Sequence, residues 1–572
     1  MPSFIESQGV DTYEFAVDLG TSNTHIEMKR STDKVSVPFM CDESDSFMSK
    51  FFIPSFVEIE GKRLQRDLQA ENDVINADFI PSVIGENDFS FPTRTAMSCA
   101  KNINWNDSNR VLGLLNFCMT YDKKNQLLYN SDPLVNIKWS NESNAQEAMR
   151  LYVENLMLLI RNKVLSMNGN LGSTKITWFY PNSMSKLRLG QLRMIWNQSY
   201  EKLFSLSGMT RNISESVAPI KYYFTRYATA TNLVNIDIGG GTTDVAFSAG
   251  GTVDYITSFR FAANSLFEDS FSSINPNNGI VDWFKEGILD LLKTKSECND
   301  LTVIFNRNDG HPSNMASFLF SLKDNSATSG LNVNKIDFNA LLLNDDKFKI
   351  VFILFYTAII YHIAQIVKVK KLSIPRHVSF SGNGSRIIGV ITSDAKLLAD
   401  YTKVIFETVT GQKCNHPLEI LGMEKNNNPK EATCKGGLLP FTADDDPQRI
   451  TLKTSDGEFI SDSDTYSFIE SHLKDIETSV SRFFKFAFYD VPKVFNLGDN
   501  FGISRESLDI ARDVCEQDLD TYLEKGFNLS EKESGDAGNV VEESLSFYPI
   551  KGVLQALSTK LYINCKSNGI QK

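Results

Sequence analysis

The sequence predicts an α/β protein with an internal duplication, followed by a helical C-terminal region. Residues 13–28 and 235–247 share one pattern: an apolar strand ending in aspartate, a turn of glycine and hydroxyl residues, and a returning strand. Beyond about residue 440, apolar residues recur at the helical period of about 3.6 rather than the strand period of about 2. Two copies of one strand unit favour a duplicated fold whose turns face a common ligand.

The second copy, NIDIGGGTTDVAF at residues 235–247, has the composition of a phosphate-binding turn. Its apolar, β-branched flanks predict two strands. Glycine lets peptide N–H groups approach an anion, and threonine adds a hydroxyl donor. The turn residues are Gly239, Gly240, Gly241, Thr242 and Thr243. Asp237 and Asp244 could hold a metal ion or orient a water. A phosphate with Mg²⁺ accounts for every part, whereas a plain hairpin accounts for the glycines alone.

The first copy is YEFAVDLGTSNTHIEM at residues 13–28. Its first strand ends at Asp18, and its turn contains Gly20, Thr21, Ser22 and Asn23. A hairpin that arises by chance becomes a weak explanation once the pattern occurs twice. The two turns are therefore expected to hold one polyphosphate from two sides.

A third motif, HVSFSGNGSRIIG, occupies residues 377–389. A short strand leads into a glycine turn at Gly382, Asn383 and Gly384, and a helix is expected to follow. Such a turn lets a flat or anionic group lie against the backbone. Arg386 could stack its planar guanidinium on a base. An ordinary strand-to-helix loop would have the same pattern.

Composition excludes several classes of protein. The chain has 572 residues, a formal net charge of −12, and 42% apolar and 22% charged residues, as in a globular protein. The negative charge argues against binding to nucleic acid or to an anionic membrane surface. The eight cysteines include no CxxC pair, which indicates neither a zinc ribbon nor a disulfide framework. Free thiols fit a cytoplasmic location.

One apolar run, VFILFYTAIIYHIAQIV at residues 351–367, could be mistaken for a membrane span. It is shorter than the roughly 20 residues that a membrane helix needs, and it contains His362 and Gln365. We therefore expect a buried core helix and no membrane span. The N-terminus shows no signal-peptide pattern.

Together and in this order, the three motifs resemble those of the actin, Hsp70 and sugar-kinase superfamily of ATPases, and most closely those of Hsp70-like and bacterial actin-like proteins. DLGTSNT is similar to the first phosphate motif, DIGGGTTD to the second and SGNGSR to the adenosine motif. Residues 212–224 and 428–439 look like the second connecting segment and the helix that closes the nucleotide-binding domain. The resemblance implies two ribonuclease-H-like lobes with ATP or ADP, and Mg²⁺, in the cleft between them.

The same resemblance implies a domain layout. Lobe I would span residues 10–214, with an insertion at about 60–145. Lobe II would span 215–440, with an insertion at about 264–345. In this fold the long apolar run takes the place of a helix packed on the lobe II sheet. Residues 441–572 lie beyond the resemblance and form the predicted helical extension.

The family pattern also assigns roles to matching residues. Asp18 and Asp237 would bind Mg²⁺, and Asp237 and Glu215 would orient or deprotonate the attacking water. Glu215 could instead cap a helix, and Asp244 could be a structural hairpin residue. Phosphate contacts would come from Gly20, Thr21, Ser22, Asn23, Gly239, Gly240, Gly241, Thr242 and Thr243. Adenosine contacts would come from Gly382, Asn383, Gly384 and Arg386.

The sequence departs from the chaperone pattern in three places. Gly384 stands where Hsp70 chaperones carry a serine, and Ala262 and Ala263 replace their double glycine. Their catalytic lysine has no clear counterpart, and Lys101 is the only candidate that the sequence suggests. Hydrolysis is accordingly expected to be slow or absent.

These observations predict an Hsp70/actin-like nucleotide switch that controls the binding of an unidentified protein partner. The alternatives are a self-associating filament protein of the bacterial actin kind, a nucleotide-binding scaffold without turnover, and a small-molecule kinase. The helices of the extension must bury their apolar faces, and we expect them to pack on the lobes or on a dedicated partner. The residues concerned are Phe468, Leu473, Ile476, Val480, Phe483 and Phe484.

Overall fold

A computed structural model describes most of the chain. The described residues are 9–21, 23–41, 56–59, 62–65, 89–100, 112–114, 131–134, 137–140, 144–182, 184, 186–204, 210–227, 230, 232–268, 278–423, 429–440, 447–452, 465–515, 517–534, 537–541 and 543–567. Ser22 and Lys101 lie outside them, so their predicted roles stay predictions.

Lobe I is built on a mixed sheet with five main strands. In chain order these are β1 (Tyr13–Leu19), β2 (Asn23–Arg30), β3 (Val37–Pro38), β4 (Lys175–Tyr180) and β5 (Thr210–Ser214). Their spatial order is β3-β2-β1-β4-β5. Strand β2 is antiparallel to β1 and β3, whereas β4 is parallel to β1 and β5. The central strand β1 therefore has the antiparallel strands β2 and β3 on one side and the parallel strands β4 and β5 on the other.

Lobe II repeats this arrangement. Its strands are β6 (Asn232–Ile238), β7 (Thr243–Ala249), β8 (Thr252–Phe259), β9 (His377–Ser381) and β10 (Glu419–Leu421). Their spatial order is β8-β7-β6-β9-β10, with the same directions as in lobe I. A short strand, β11 (Gln448–Arg449), pairs with the outer edge of β8. The region predicted to be a helical extension thus also contributes to the lobe II sheet.

The repeated strand order confirms the predicted duplicated, ribonuclease-H-like fold. The two hairpins also match in register, because Asp18 pairs with His25 across β1 and β2, and Asp237 pairs with Asp244 across β6 and β7. The two lobes differ in the residue opposite the aspartate, which is His25 in lobe I and Asp244 in lobe II. His25 forms a hydrogen bond with the buried Glu27, with Nε2 and Oε1 3.2 Å apart.

Further short strands belong to the region between β3 and β4, where the lobe I insertion is predicted. They are Met40–Cys41, Phe56–Ile59, Lys62–Gln65, Phe89–Ser90, Thr93–Arg94, Met97–Ala100, Leu112–Leu114 and Ser131–Leu134. Thr93–Arg94 pairs with the start of β2 and so extends the lobe I sheet.

Two long helices, Ala145–Ser166 and Lys186–Phe204, belong to lobe I. Buried residues recur at helical spacing along the first, as at Tyr152, Leu156 and Ile160, which gives it one apolar face. Trp196 of the second helix stacks on Trp178 of β4, with ring centroids 5.6 Å apart. Aromatic packing of this kind holds the helix against the sheet.

The main helices of lobe II lie between β8 and β10 in the chain. They are Asn264–Phe267, Gly279–Leu292, Asn299–Asn308, Pro312–Ser321, Val333–Ile336, Phe338–Leu343, Lys349–Val369, Ile388–Ile391 and Ala395–Thr410. Several begin at side-chain caps: Asn278 accepts the N–H groups of Ile280 and Val281, and Asp394 accepts those of residues 396 and 397.

The helix Lys349–Val369 contains the long apolar run. Among the residues that the structure describes, it is the one helix long and apolar enough to cross a membrane. Its most apolar window is buried entirely within the protein, as expected for a core helix packed on the lobe II sheet.

The C-terminal region is helical, as predicted. Its α-helices are Tyr466–Glu470, Leu473–Lys485, Leu497–Phe501, Arg505–Val514, Leu519–Ser534 and Phe547–Ser567. Val480, Phe483 and Phe484 lie in the same continuous apolar core as the helix Lys349–Val369, so the extension packs on lobe II. Phe468 is an exception to the predicted burial: it is 45% exposed and stacks on His472 at the surface.

Two helices, Val217–Arg226 and Glu431–Gly437, pack against each other in a core shared by both lobes. A Cβ atom at Gly436 would lie only 1.8 Å from the carbonyl oxygen of Ala218, so this close approach requires glycine. The shared core includes Ala16 of β1 and Leu233 of β6. The two helices therefore connect the sheet of lobe I with that of lobe II.

Candidate functional site

The site begins with the two matching hairpin turns. The N–H of Gly20 donates to the carbonyl oxygen of Asn23 at 3.1 Å, and the N–H of Gly239 donates to that of Thr242 at 2.9 Å. The same backbone hydrogen bond thus closes both turns.

The tips of the two turns face each other. A Cβ atom at Gly241 would lie 3.6 Å from Cγ2 of Thr21, which places the lobe II turn next to the lobe I turn. The indole N–H of Trp139 donates to Oγ1 of Thr21 at 3.0 Å and holds that side chain in place. The structure therefore brings together two motifs that are far apart in the sequence.

Not every predicted phosphate-contacting residue of the second turn faces the cleft. Thr243 is fully buried, and its hydroxyl donates to the carbonyl oxygen of Phe261 at 2.6 Å. The carbonyl oxygen of Gly240 accepts the N–H of Asn264 at 2.8 Å, and that of Gly239 accepts the N–H of Ala263 at 3.2 Å. Thr243 thus acts as a strand residue that anchors β7, and Ala263 supports the turn through its backbone.

The adenosine motif packs directly on the second phosphate turn. Gly382 has a φ of +78°, and a Cβ atom there would lie 2.4 Å from Oδ1 of Asp237. A Cβ atom at Gly384 would lie 2.3 Å from the carbonyl oxygen of Gly239. Both contacts require glycine, because any side chain at these two positions of the GNG sequence would overlap the second turn. The segment Asn383–Ile387 forms a 3₁₀ turn, with Asn383 half-buried and Arg386 exposed.

Asp237 lies at the centre of the site. Its Oδ2 accepts hydrogen bonds from Oγ of Ser381 at 2.8 Å and from Oγ1 of Thr433 at 3.2 Å. Burial, together with the negative charge of Asp18, raises the pKa of Asp237 to about 7. A carboxyl group with such a pKa exchanges protons readily near neutral pH.

Glu215 and Asp244 form a second acidic group beside Asp237. Glu215 pairs with Lys138, whose Nζ lies 2.5 Å from Oε1, and burial raises the pKa of Glu215 despite this partner. Asp244 accepts the backbone N–H of Asn182 at 3.1 Å. Burial and the neighbouring carboxylates raise the pKa of Asp244 to about 8. Such shifts are common at functional sites, although structural ion-pair networks produce them too.

Sequence reasoning missed two lysines of this site. Lys138 is 3% exposed and pairs with Glu215, whereas Lys101 was the lysine suggested from the sequence. Lys430 is also buried, and it pairs with Asp18, with Nζ 2.6 Å from Oδ2. Both lysines come from segments remote from the three motifs. Lys430 precedes the helix Glu431–Gly437, and its position in the closing segment NPKEATCKGGLL was the only signal available.

The structure gives the carboxylate of Asp18 a cationic partner from the protein itself. Asp18, the residue predicted to bind Mg²⁺, is already engaged by the Lys430 ammonium. Within the described ranges, no group of three or more histidine, cysteine, aspartate or glutamate side chains is placed to hold a metal ion. The assignment of Asp18 and Asp237 to Mg²⁺ therefore stays a sequence prediction.

No protein-family model and no curated protein matches the sequence. Among solved structures, MreB5 of Spiroplasma citri bound to ADP is similar, with 11% identity, a TM-score of 0.32, and coverage of 74% of this chain and 94% of that one. The same protein bound to AMPPNP gives the same values. The MamK double helical filament shows 13% identity and a TM-score of 0.34, covering 75% of this chain and 98% of that one.

The assignment of the fold rests on the strand order of the two sheets. In each sheet, the first strand is antiparallel to its neighbour on one side and has two parallel strands on the other side. By the order and directions of these strands, the chain has the actin-like two-lobe fold.

Proposed function

We propose that the chain binds ATP and ADP in the cleft between its lobes. The phosphates would lie between the two hairpin turns, and the adenosine would lie against residues 382–386. The convergence of three separate motifs carries this proposal: Thr21 faces Gly241, and Gly384 packs on Gly239. A single glycine hairpin would be weak support, but backbone N–H groups on two facing turns make a concave site suited to a polyphosphate.

We further propose that the bound ATP is hydrolysed slowly. Phosphoryl transfer depends mainly on positioning and charge stabilisation, and a carboxylate that orients the attacking water completes the site. Asp237 is our first candidate for this role, because it lies beside both the phosphate turn and the adenosine motif. Glu215 is the second candidate, and its ion pair with Lys138 keeps a positive charge next to it.

Nucleotide binding would also act as a switch for a protein partner. The segment 429–438 makes hydrogen bonds to both lobes: Gly382 donates its N–H to the carbonyl oxygen of Pro429, and Lys29 donates to that of Leu438. A ligand that changes the separation of the two turns would therefore displace this segment. The partner would recognise the surface that changes with lobe closure.

Isothermal titration calorimetry with ATP and with ADP tests nucleotide binding. The Gly241→Val variant should fold, because a Cβ atom there meets only ordinary contacts, but its larger side chain should fill the space between the turns and abolish binding. Gly190→Val is the matched control: Gly190 lies in the helix Lys186–Phe204 with open space around it. If the folded native protein binds neither nucleotide, the proposal is wrong.

Single-turnover hydrolysis tests the role of Asp237. Asp237→Asn should lower the rate by at least about 100-fold, the usual contribution of a positioned base, while keeping ATP affinity. Asp254→Asn, on an exposed position of β8 in the same sheet, should leave the rate unchanged. Parallel losses of rate and melting temperature in Asp237→Asn would instead indicate a folding defect.

Filament formation remains an alternative from the sequence. The structurally similar MamK forms a double helical filament, and the same preparation of this protein can be tested for self-association. Sedimentation and negative-stain microscopy with ATP should leave this protein in the supernatant if the switch proposal is right. Nucleotide-dependent pelleting with visible polymers would favour the filament protein instead.

A further inference from the structure

Lys430 is a buried lysine that lies next to the carboxylate of Asp18 and the first glycine turn. Nζ of Lys430 lies 2.6 Å from Oδ2 of Asp18, and the two side chains are 9% and 7% exposed. A Cβ atom at Gly20 would lie 3.0 Å from the same Nζ, so the ammonium also lies against the backbone of the first turn. The positive charge is therefore positioned at the base of the candidate phosphate site.

The positive charge of this lysine lies among acidic side chains. Its ammonium pairs with Asp18, and the negative charges of Asp237 and Glu215 also act on it. Lys430 therefore supplies positive charge beside the acidic groups of the candidate phosphate site.

The position of Lys430 is set by a backbone that is fastened on both sides. On the lobe II side, the carbonyl oxygen of Pro429 accepts the N–H of Gly382 at 3.1 Å, and Thr433 donates to Asp237 at 3.2 Å. On the lobe I side, Arg211 donates to the carbonyl oxygen of Gly437 at 2.6 Å. The ammonium is therefore held in place by the fold before any ligand arrives.

From these contacts we propose that Lys430 takes the place of a divalent metal ion, so that the cleft binds nucleotide phosphates without Mg²⁺. This inference rests on the proposed nucleotide-binding function. A lysine ammonium is a compact charge with three N–H donors, and it binds phosphate as a point charge. Since Asp18 is already engaged by this ammonium, Mg²⁺ would have to displace it in order to use that carboxylate.

Nucleotide titrations with and without metal test this inference. The native protein should bind ADP with similar affinity, within about threefold, in EDTA and in excess MgCl₂. Lys430→Met should lose at least about tenfold in affinity in EDTA and recover part of it with MgCl₂. Lys435→Met is the matched control from the helix that follows Lys430, because Lys435 is partly exposed and pairs with Glu431. It should behave like the native protein.

Metal titrations without nucleotide give an independent measurement. MnCl₂ or MgCl₂ should leave the melting temperature of the native protein unchanged. Each should raise that of Lys430→Met, whose carboxylates have lost their internal cation, and the Lys430→Met/Asp18→Asn double variant should lose this response. Lys430→Gln provides a second variant if the methionine variant does not fold.

Two results would overturn the inference. One is native nucleotide binding that requires Mg²⁺, and the other is a melting temperature of the native protein that responds to metal as strongly as that of Lys430→Met. If the native protein binds no nucleotide under either condition, the proposed function fails. In that case, the effect of metal on the melting temperatures of the native protein and Lys430→Met still shows whether Lys430 occupies the cation position.

Discussion

The Phe547→Ala substitution tests whether the C-terminal extension is part of lobe II or a separate unit. Phe547 begins the helix Phe547–Ser567, and its ring stacks on Phe259 at a centroid distance of 4.4 Å and on Phe261 at 4.8 Å. His362 of the buried helix Lys349–Val369 lies 5.1 Å from the same ring. One side chain therefore joins the last helix to the sheet and to the central helix of lobe II.

The expected loss of stability follows from burial. Phe547 is 3% exposed, and truncating a buried phenylalanine to alanine costs about 3–5 kcal/mol. The buried area leads to a similar value, because about 200 Å² at about 25 cal/mol per Å² amounts to about 5 kcal/mol. Phe468→Ala is the control: Phe468 is 45% exposed, so the same truncation should cost less than about 1 kcal/mol.

Hydrogen exchange measured by mass spectrometry is the appropriate assay, because it locates the loss of stability along the chain. Phe547→Ala should speed exchange in Phe547–Ser567 and also in Lys349–Val369, since the two helices share one apolar core. Faster exchange confined to residues 547–567, with unchanged protection of residues 349–369, would refute the reasoning. It would mean that the extension rests on lobe II without stabilising it.

Two further predictions concern lobe II. Burial lowers the pKa of His362 to about 3, so below the unfolded value of about 6.5 only the unfolded state takes up this proton, and the contribution of His362 to stability falls as the pH drops. Between pH 6.5 and 5 this contribution should fall by about 1.6 kcal/mol, measured in urea as the change in the difference between the unfolding free energies of the native protein and His362→Phe. For His311→Gln the same difference should not change with pH, and parallel pH dependences of His362→Phe and the native protein would contradict the assignment. Gly384→Ala should cost about 1–3 kcal/mol and weaken ADP binding, because its Cβ atom would lie 2.3 Å from the carbonyl oxygen of Gly239. Gly389→Ala has open space and should be neutral or stabilising in the same thermal melts and titrations, and equal behaviour of the two alanine variants would contradict the close approach.

Local pattern was sufficient to predict the two phosphate hairpins. Each combines an apolar, β-branched strand with a glycine turn, and these preferences act over a few neighbouring residues. The structure places the turns where the pattern predicted them, closed by equivalent bonds at Gly20 and Gly239. The duplicated fold followed because two copies of one unit imply two lobes, and the strand orders of the sheets confirm it.

The helical nature of the extension was also readable from its periodicity, but the burial of individual residues was not. Phe483 and Phe484 are fully buried, whereas Phe468, predicted to be buried with them, remains at the surface. Periodicity identifies the apolar face of a helix. It does not show how much of that face the rest of the protein covers. In the same way, the hydroxyl pattern at Thr243 could not show that its side chain points to Phe261 rather than to the cleft.

The sequence by itself determined the class of fold, the two glycine turns and the acidic residues at the ends of the strands that lead into them, because those features depend on local backbone preference. Only the tertiary structure decided which charges meet. Lys138 and Lys430 come from segments outside the motifs, yet they pair with Glu215 and Asp18. Coulomb attraction depends on the distance between the charges in space and on their burial. The spacing of residues along the chain predicts neither quantity.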